Sequence, residues 1–156
     1  MRGLVQRVTR AEVRSRAHPG GSWEVVGRIG RGLCFFVGVT HTDTEVVAER
    51  LAAKLAGLRI FDDEAGVMNR SVLDVGGAVL VVSQFTLYGD TSRGRRPGWS
   101  AAARPEAAEP LVDAVVGALR AAGVSVETGR FRTEMRVELC NDGPVTLLVE
   151  VDAPGR

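Results

Sequence analysis

The period of apolar and polar positions changes along the chain, and each change predicts an element. Leu4 to Val13 mixes apolar and polar residues in a β-like way, as does Trp23 to Ile29. The two are expected to pair as a hairpin across a loop containing His18-Pro19-Gly20-Gly21. Gly32 to Val39 has almost no polar residue, which predicts a strand buried on both faces in mid-sheet. Thr42-x-x-Glu45 has the form of a capping box, so a helix is expected from there, with Val47, Leu51, Leu55 and Leu58 as its apolar stripe. Leu58 to Phe61 reads as a short strand ended by Asp62-Asp63-Glu64-Ala65-Gly66, whose spacing fails the calcium-loop pattern.

After the turn at Gly76-Gly77, Ala78 to Val82 is rich in β-branched residues and predicts a second central strand. A second helix is expected from Pro105 to about Ala122, with Leu111, Val115 and Leu119 buried and with Pro110 kinking it or delaying its start. Three more β-like segments follow: Val124 to Glu127, Met135 to Cys140 and Val145 to Val151. The order ββ-β-α-β-β-α-βββ predicts an α+β fold over residues 1–156: a mixed and antiparallel, barrel-like sheet packed with two main helices in one compact domain. A chain of 156 residues can bury a core large enough to need no staple.

Composition narrows the function mainly by exclusion. With 20 basic and 19 acidic residues the formal net charge is +1, so the chain has no bulk signature of duplex binding. Cys34 and Cys140 lie in apolar runs without a C-x-x-C or a neighbouring histidine and read as buried structural thiols, not zinc ligands. The first residues lack a signal-peptide core and no apolar run is long enough to span a bilayer, so no membrane association and a cytoplasmic location are expected. G-x-S-x-G, Walker, H-E-x-x-H and G-x-G-x-x-G patterns are absent, and His18 and His41 both sit in surface-like contexts. Any enzymatic chemistry is therefore expected to proceed without histidine, metal or a tightly held organic cofactor.

Two stretches remain. Ser83-Gln84-Phe85-Thr86 ends the second central strand, where open α/β sheets place ligands, and offers a hydroxyl, an amide and backbone N–H donors for a developing oxyanion. The same residue types also serve merely to satisfy a strand end. Asn141-Asp142-Gly143-Pro144-Val145-Thr146 contains a Gly-Pro bond, for which the trans preference is only about 0.5–1 kcal/mol, and can present two carbonyls or simply turn a hairpin. Arg93, Arg95, Arg96 and Arg104 form the one dense guanidinium cluster, suited either to solvent or to phosphate.

Together the two stretches resemble the SQxT and NxGPxT signatures of the D-aminoacyl-tRNA deacylases. The resemblance extends to Gln6-Arg7-Val8, Arg59-Ile60-Phe61, Met68-Asn69, Arg96-Pro97 and Thr128-Gly129-Arg130-Phe131 with Met135, and so spans nearly the whole chain. The loop from Ala17 to Ser22 departs from it, being longer than in bacterial members. The resemblance implies hydrolysis of the ester of D-aminoacyl-tRNA, and of glycine mischarged on tRNA, in translation quality control. It implies Gln84, Phe85 and Thr86 as catalytic residues around the ester carbonyl and the 3′-terminal adenosine, with Ser83, Met135, Asn141, Gly143, Pro144 and Thr146 as substrate-binding residues. It further implies a homodimer in which a cis Gly143-Pro144 turn, supported by Arg7, reaches into the partner's site and excludes L-aminoacyl groups. The arginine cluster would contact tRNA phosphates. Thr86 lacks a base to activate it, which favours attack by water, assisted by the substrate's ribose hydroxyl, over an acyl-threonine intermediate.

Overall fold

The structure, a computed structural model, describes residues 1–92 and 94–152, the Pro144 side chain excepted. Its organising strand is β1 (Arg2–Arg16), which pairs antiparallel with β8 (Glu134–Glu150) along one edge. The other edge is divided. Residues 2–8 pair with β3 (Gly32–Gly38) and residues 11–15 with β2 (Glu24–Ile29), both antiparallel. Beyond β3, the strands β6 (Ala78–Ser83) and β7 (Ser125–Thr128) add in parallel, giving the order β2-β1-β3-β6-β7 with β8 on β1. Parallel neighbours require crossovers, and these carry the helices α1 (Glu45–Ala56) and α2 (Pro105–Ala121).

The sheet curls until β2 approaches β7. A Cβ placed on Gly27 would lie 2.7 Å from the Thr128 carbonyl oxygen, so the barrel-like closure depends on the missing side chain. Curling separates two cores. Inside the barrel lie Val8, Ala11, Val13, Ile29, Cys34, Leu80 and Val82. Between the outer face and the helices lie Leu33, Phe35, Val37, Val79 and Val81 with α1 and α2 side chains such as Leu51, Leu55, Val115 and Leu119. Both faces of β3 and β6 are therefore covered, which is why these strands read as unbroken apolar runs. Burial in the barrel pushes the Cys34 thiol up to about 12, consistent with a structural cysteine; Cys140 is half-buried.

Register irregularities set the direction of β1. Val8 pairs with Asn141 but Arg10 with Cys140, so Thr9 is a surplus residue on β1. One surplus residue flips the side-chain parity, allowing Val8 and then Ala11 and Val13 all to enter the barrel. The second irregularity is larger. Gln6 pairs with Thr146, so Arg7 alone spans the interval that residues 142–145 fill on β8.

Several expectations are corrected. The last two expected strands are one 17-residue strand with that bulge in it, because β1 continues as partner on both sides. The expected strand at Leu58 to Phe61 is only β4 (Phe61–Asp62), and it pairs with an unexpected β5 (Met68–Arg70). No capping box forms at Thr42. The Asp43 carboxylate accepts from the Thr40 N–H at 2.8 Å and from the Met1 α-ammonium at 2.7 Å, which holds residues 40–43 in a turn and starts α1 later, with Thr44 as N-cap. α2 begins at Pro105 without delay and runs through Pro110, its buried stripe being Val112, Val115, Val116 and Leu119 instead of one including Leu111. Among the described residues no helix is long and apolar enough to cross a membrane.

Gly27→Ala tests the closure. Because the opposing atom is backbone, the clash cannot be relieved by a rotamer change, and the variant should lose about 1–3 kcal/mol of unfolding free energy in urea titration. A midpoint equal to that of the parent would show that β2 and β7 do not close the barrel.

Candidate active site

The parallel pair β3–β6 ends at Gly38 and Ser83, and the chain leaves β6 by bonding the Gln84 N–H to the Val37 carbonyl at 2.7 Å. It then winds into a short 3-10 helix, η1 (Phe85–Tyr88). The first N–H groups of a helix have no acceptor within it, which leaves those of Phe85 and Thr86 free for other partners. Beside them opens a cleft of about 360 Å³, floored by Val37, Val39 and Val112 and bounded by Ser83, Gln84, Phe85 and Trp99. Ala102, Ala103 and Ala108 keep its far wall low, and Phe131 and Arg132 close one end.

The walls are aromatic and half open to solvent. Phe85 is 56% exposed and Trp99 42%, and the rings meet edge to face with centroids 5.3 Å apart. Such paired, exposed aromatics beside an apolar floor suit a planar, partly apolar ligand group. Arg132, at the rim, is the one non-glycine among the described residues with positive φ, at 59°. Non-glycine residues in this region cost energy and cluster near sites.

Of the residues singled out in sequence, Ser83, Gln84 and Phe85 line the cleft. Thr86 lies beside it, its hydroxyl accepting a hydrogen bond from the Gln84 side-chain amide. No histidine approaches Thr86: His41 Nε2 donates to the Ser100 carbonyl at 2.8 Å, and His18 lies in the β1–β2 loop. Among the described residues the Thr86 hydroxyl is hydrogen-bonded to the Gln84 amide and to no histidine or carboxylate. Met135 does not line the cleft; it packs beside the barrel core, across Gly129. Arg95, Arg96 and Arg104 are exposed, Arg104 preceding the first turn of α2, and Arg93 lies outside the described residues. Trp99 was not among the sequence candidates. The available signal was a large aromatic inside a loop rich in Gly, Ser and Arg. Among the described residues no group of His, Cys, Asp or Glu is arranged to hold a metal.

Asn141 to Thr146 form the large bulge of β8, and none of its described side chains is among those that line this cleft. Its feet are tied to β1. The Asn141 side-chain amide donates to the carbonyls of Arg7 at 2.9 Å and Val145 at 3.1 Å, and Gln6 Nε2 donates to Thr146 Oγ1 at 3.1 Å. Arg7 is 7% exposed and holds the bulge from beneath. Its Nε donates to the Asp142 carbonyl at 3.1 Å and its Nη1 to the Ile60 carbonyl at 2.6 Å, joining the bulge to the segment before β4. The carboxylates of Asp62 and Asp142 lie 3.5 and 3.3 Å from the guanidinium but are half exposed, so screening limits their share. The carbonyl bonds, planar and geometrically forked, set the position.

The family model described as D-Tyr-tRNA(Tyr) deacylase matches residues 4–150. The chain is 59% identical over 150 residues to the D-aminoacyl-tRNA deacylase of Symbiobacterium thermophilum, covering 96% of this chain and 95% of that one. It is 57% identical to the D-aminoacyl-tRNA deacylase of Chloroflexus aurantiacus, over 96% and 90% of the two chains. Among solved structures it is similar to the c-Myc DNA Unwinding Element Binding Protein, with a TM-score of 0.87, 37% identity and coverage of 98% and 100%. A probable eukaryotic D-amino acid tRNA deacylase shares the fold, with a TM-score of 0.78 at 16% identity over 96% and 98% of the two chains.

Arg7→Leu removes the guanidinium while keeping bulk, leaving the Ile60 and Asp142 carbonyls without their donors. It should destabilise the protein by about 1–3 kcal/mol in urea titration and raise amide hydrogen exchange in residues 141–146. Arg7→Lys, with one ammonium in place of a fork, should recover only part of both effects. Wild-type exchange in Arg7→Leu would mean that the bulge is held by β8 alone.

Proposed function

The chain belongs to the D-Tyr-tRNA(Tyr) deacylase family, and from that membership we propose that it hydrolyses the ester bond of D-aminoacyl-tRNA, releasing the D-amino acid and free tRNA. The observation that carries the reading is the cleft at the end of β6. Its Phe85–Trp99 walls and apolar floor match the 3′-terminal adenosine, and the uncommitted Phe85 and Thr86 N–H groups stand beside it as donors for the ester's oxyanion.

In this mechanism a water oxygen attacks the ester carbonyl carbon, and negative charge develops on the carbonyl oxygen facing those N–H groups. Collapse breaks the bond to the ribose oxygen, which takes one of the water's protons and leaves as a hydroxyl, and the amino acid departs as carboxylate with the other proton passing to solvent. The neighbouring ribose hydroxyl relays the proton, since the Thr86 hydroxyl is engaged by Gln84 and has no base. Gln84 and Thr86 then act as a pair that fixes the start of η1, and Ser83 borders the sugar.

Selection is assigned to the bulge. Since none of the described side chains of residues 141–146 lines the cleft of their own chain, the reading requires a homodimer in which the Gly143-Pro144 turn, with a cis bond, enters the partner's cleft. Its carbonyls take the substrate's α-amino group, and the side chain of an L-amino acid would collide with it. Glycine lacks the colliding group and passes, so glycine mischarged on tRNA is a second substrate. Asn141, Thr146 and Arg7 hold the turn. The arginines at 93, 95, 96 and 104 are assigned to tRNA phosphates, and Met135 supports the barrel wall beneath.

A second reading is favoured by one comparison: the similar c-Myc DNA Unwinding Element Binding Protein is, by its name, a DNA-binding protein. A nucleic-acid binder without turnover would retain tRNA and leave its ester intact, so the deacylation assay separates the two.

Purified protein should deacylate D-Tyr-tRNA and act on L-Tyr-tRNA at least about a hundredfold more slowly. Equal rates on the two enantiomers would remove the chirality claim, and binding without turnover would favour the second reading. Pro144→Ala should lose the D-over-L ratio while its unfolding midpoint stays near that of the parent. A variant with unchanged selectivity would make the turn purely structural.

A further inference from the structure

Trp99 forms a wall of the cleft although its ring is 42% exposed, so burial alone does not hold it. Two things locate it. A Cβ on Gly89 would lie 2.6 Å from Trp99 Cζ3, so the ring rests directly on the glycine backbone at the end of η1, with Phe85 at its edge. The loop that carries it is tied down on both sides. Before Trp99, the Gly98 and Asp90 backbones exchange two bonds of 2.8 Å, closing off the arginine-bearing segment. After Trp99, the ties run to the end of β3: Thr40 Oγ1 donates to the Ala101 carbonyl at 2.7 Å, His41 Nε2 to the Ser100 carbonyl at 2.8 Å, and the Ala103 N–H to the Val39 carbonyl at 2.9 Å. A carbonyl only accepts, so the imidazole proton sits on Nε2.

Thr40 and His41 are themselves held. The Asp43 carboxylate, with 1% side-chain exposure, accepts from the Thr40 N–H at 2.8 Å, and the Asp43 N–H donates to the Thr40 carbonyl at 3.2 Å. The turn from Thr40 to Asp43, placed where a capping box was expected, is thus a rigid latch. Two of its side chains grip the two residues that follow Trp99.

We infer that Thr40, seated by Asp43 and aided by His41, is a positioning residue that sets the gap between Trp99 and Phe85 and so governs how tightly the cleft holds the terminal nucleoside of its substrate. This rests on the deacylase reading of the cleft. The residues touch neither the ester nor the donors around it, so their loss weakens substrate binding and leaves the bond-breaking step unchanged.

The test uses the full chain with Trp23→Phe, which leaves Trp99 as the only tryptophan of the two. Thr40→Val should raise KM for D-Tyr-tRNA by about 3–10-fold, the loss of one neutral hydrogen bond, with kcat unchanged. Acrylamide quenching of Trp99 should rise with it, and Thr40→Ser should restore both. His41→Ala, at an exposed position, should move KM and quenching in the same direction and serves if Thr40→Val fails to fold. Unchanged KM and quenching would overturn the inference, as would a fall in kcat at constant KM. Quenching is read without turnover, so a parent protein that fails to deacylate would defeat the deacylase reading while the latch is still judged.

Discussion

The constraint on which this structure turns is the hydrogen-bond ladder between β1 and β8. Both strands must remain paired from one end to the other, yet they do not carry equal numbers of residues. Backbone donors and acceptors on paired strands cannot be left buried without partners, so surplus residues must leave the ladder in a way that keeps their groups satisfied. Thr9 leaves on the β1 side and exchanges the faces of the strand, which lets one strand serve the barrel core. Residues 142–145 leave on the β8 side as a projecting bulge. Arg7, the only β1 residue opposite them, turns its guanidinium inward to collect the carbonyls of Asp142 and Ile60.

The cleft has a different origin. It sits where the parallel strands β3 and β6 stop, and its floor is the top of the core shared with α2. Its walls belong to two segments without regular sheet structure, η1 and the Trp99 loop, each held by ties to the end of β3. The bulge and the cleft thus hang from opposite edges of the β1–β3 pairing. Within one chain, then, the bulge and the cleft are separate features, and only the proposed reading, with one chain's bulge serving a partner's cleft, joins them.

Much of this was legible in the residues. β3 and β6 were readable because both faces are covered, which demands uninterrupted apolar runs; α1 and α2 were readable because only one face of each is. Ser83, Gln84 and Phe85 were suspect by position, since the C-terminal end of a central strand is where such sheets open, and they do line the cleft. Other features were not legible. The Thr42-x-x-Glu45 pattern satisfied the rule for a helix start, but the turn from Thr40 to Asp43, organised around the Asp43 carboxylate and its bond to the Met1 ammonium, moved the start of α1. Trp99 looked like one residue of a loop, and its role depends on Gly89 and Phe85 being brought beneath and beside it.

Side-chain type and spacing were enough to place the two helices and the central strands, the burial of Cys34 and the motifs as those of a deacylase family, because these depend on periodicity and local chemistry. The fate of Asn141 to Thr146 was beyond their reach. Read locally, that stretch is a turn between two strands; in the folded chain it is a bulge inside one. The difference lies in the register of a partner strand at the other end of the chain, and register is set by hydrogen bonds and packing between residues whose separation in sequence carries no local signal.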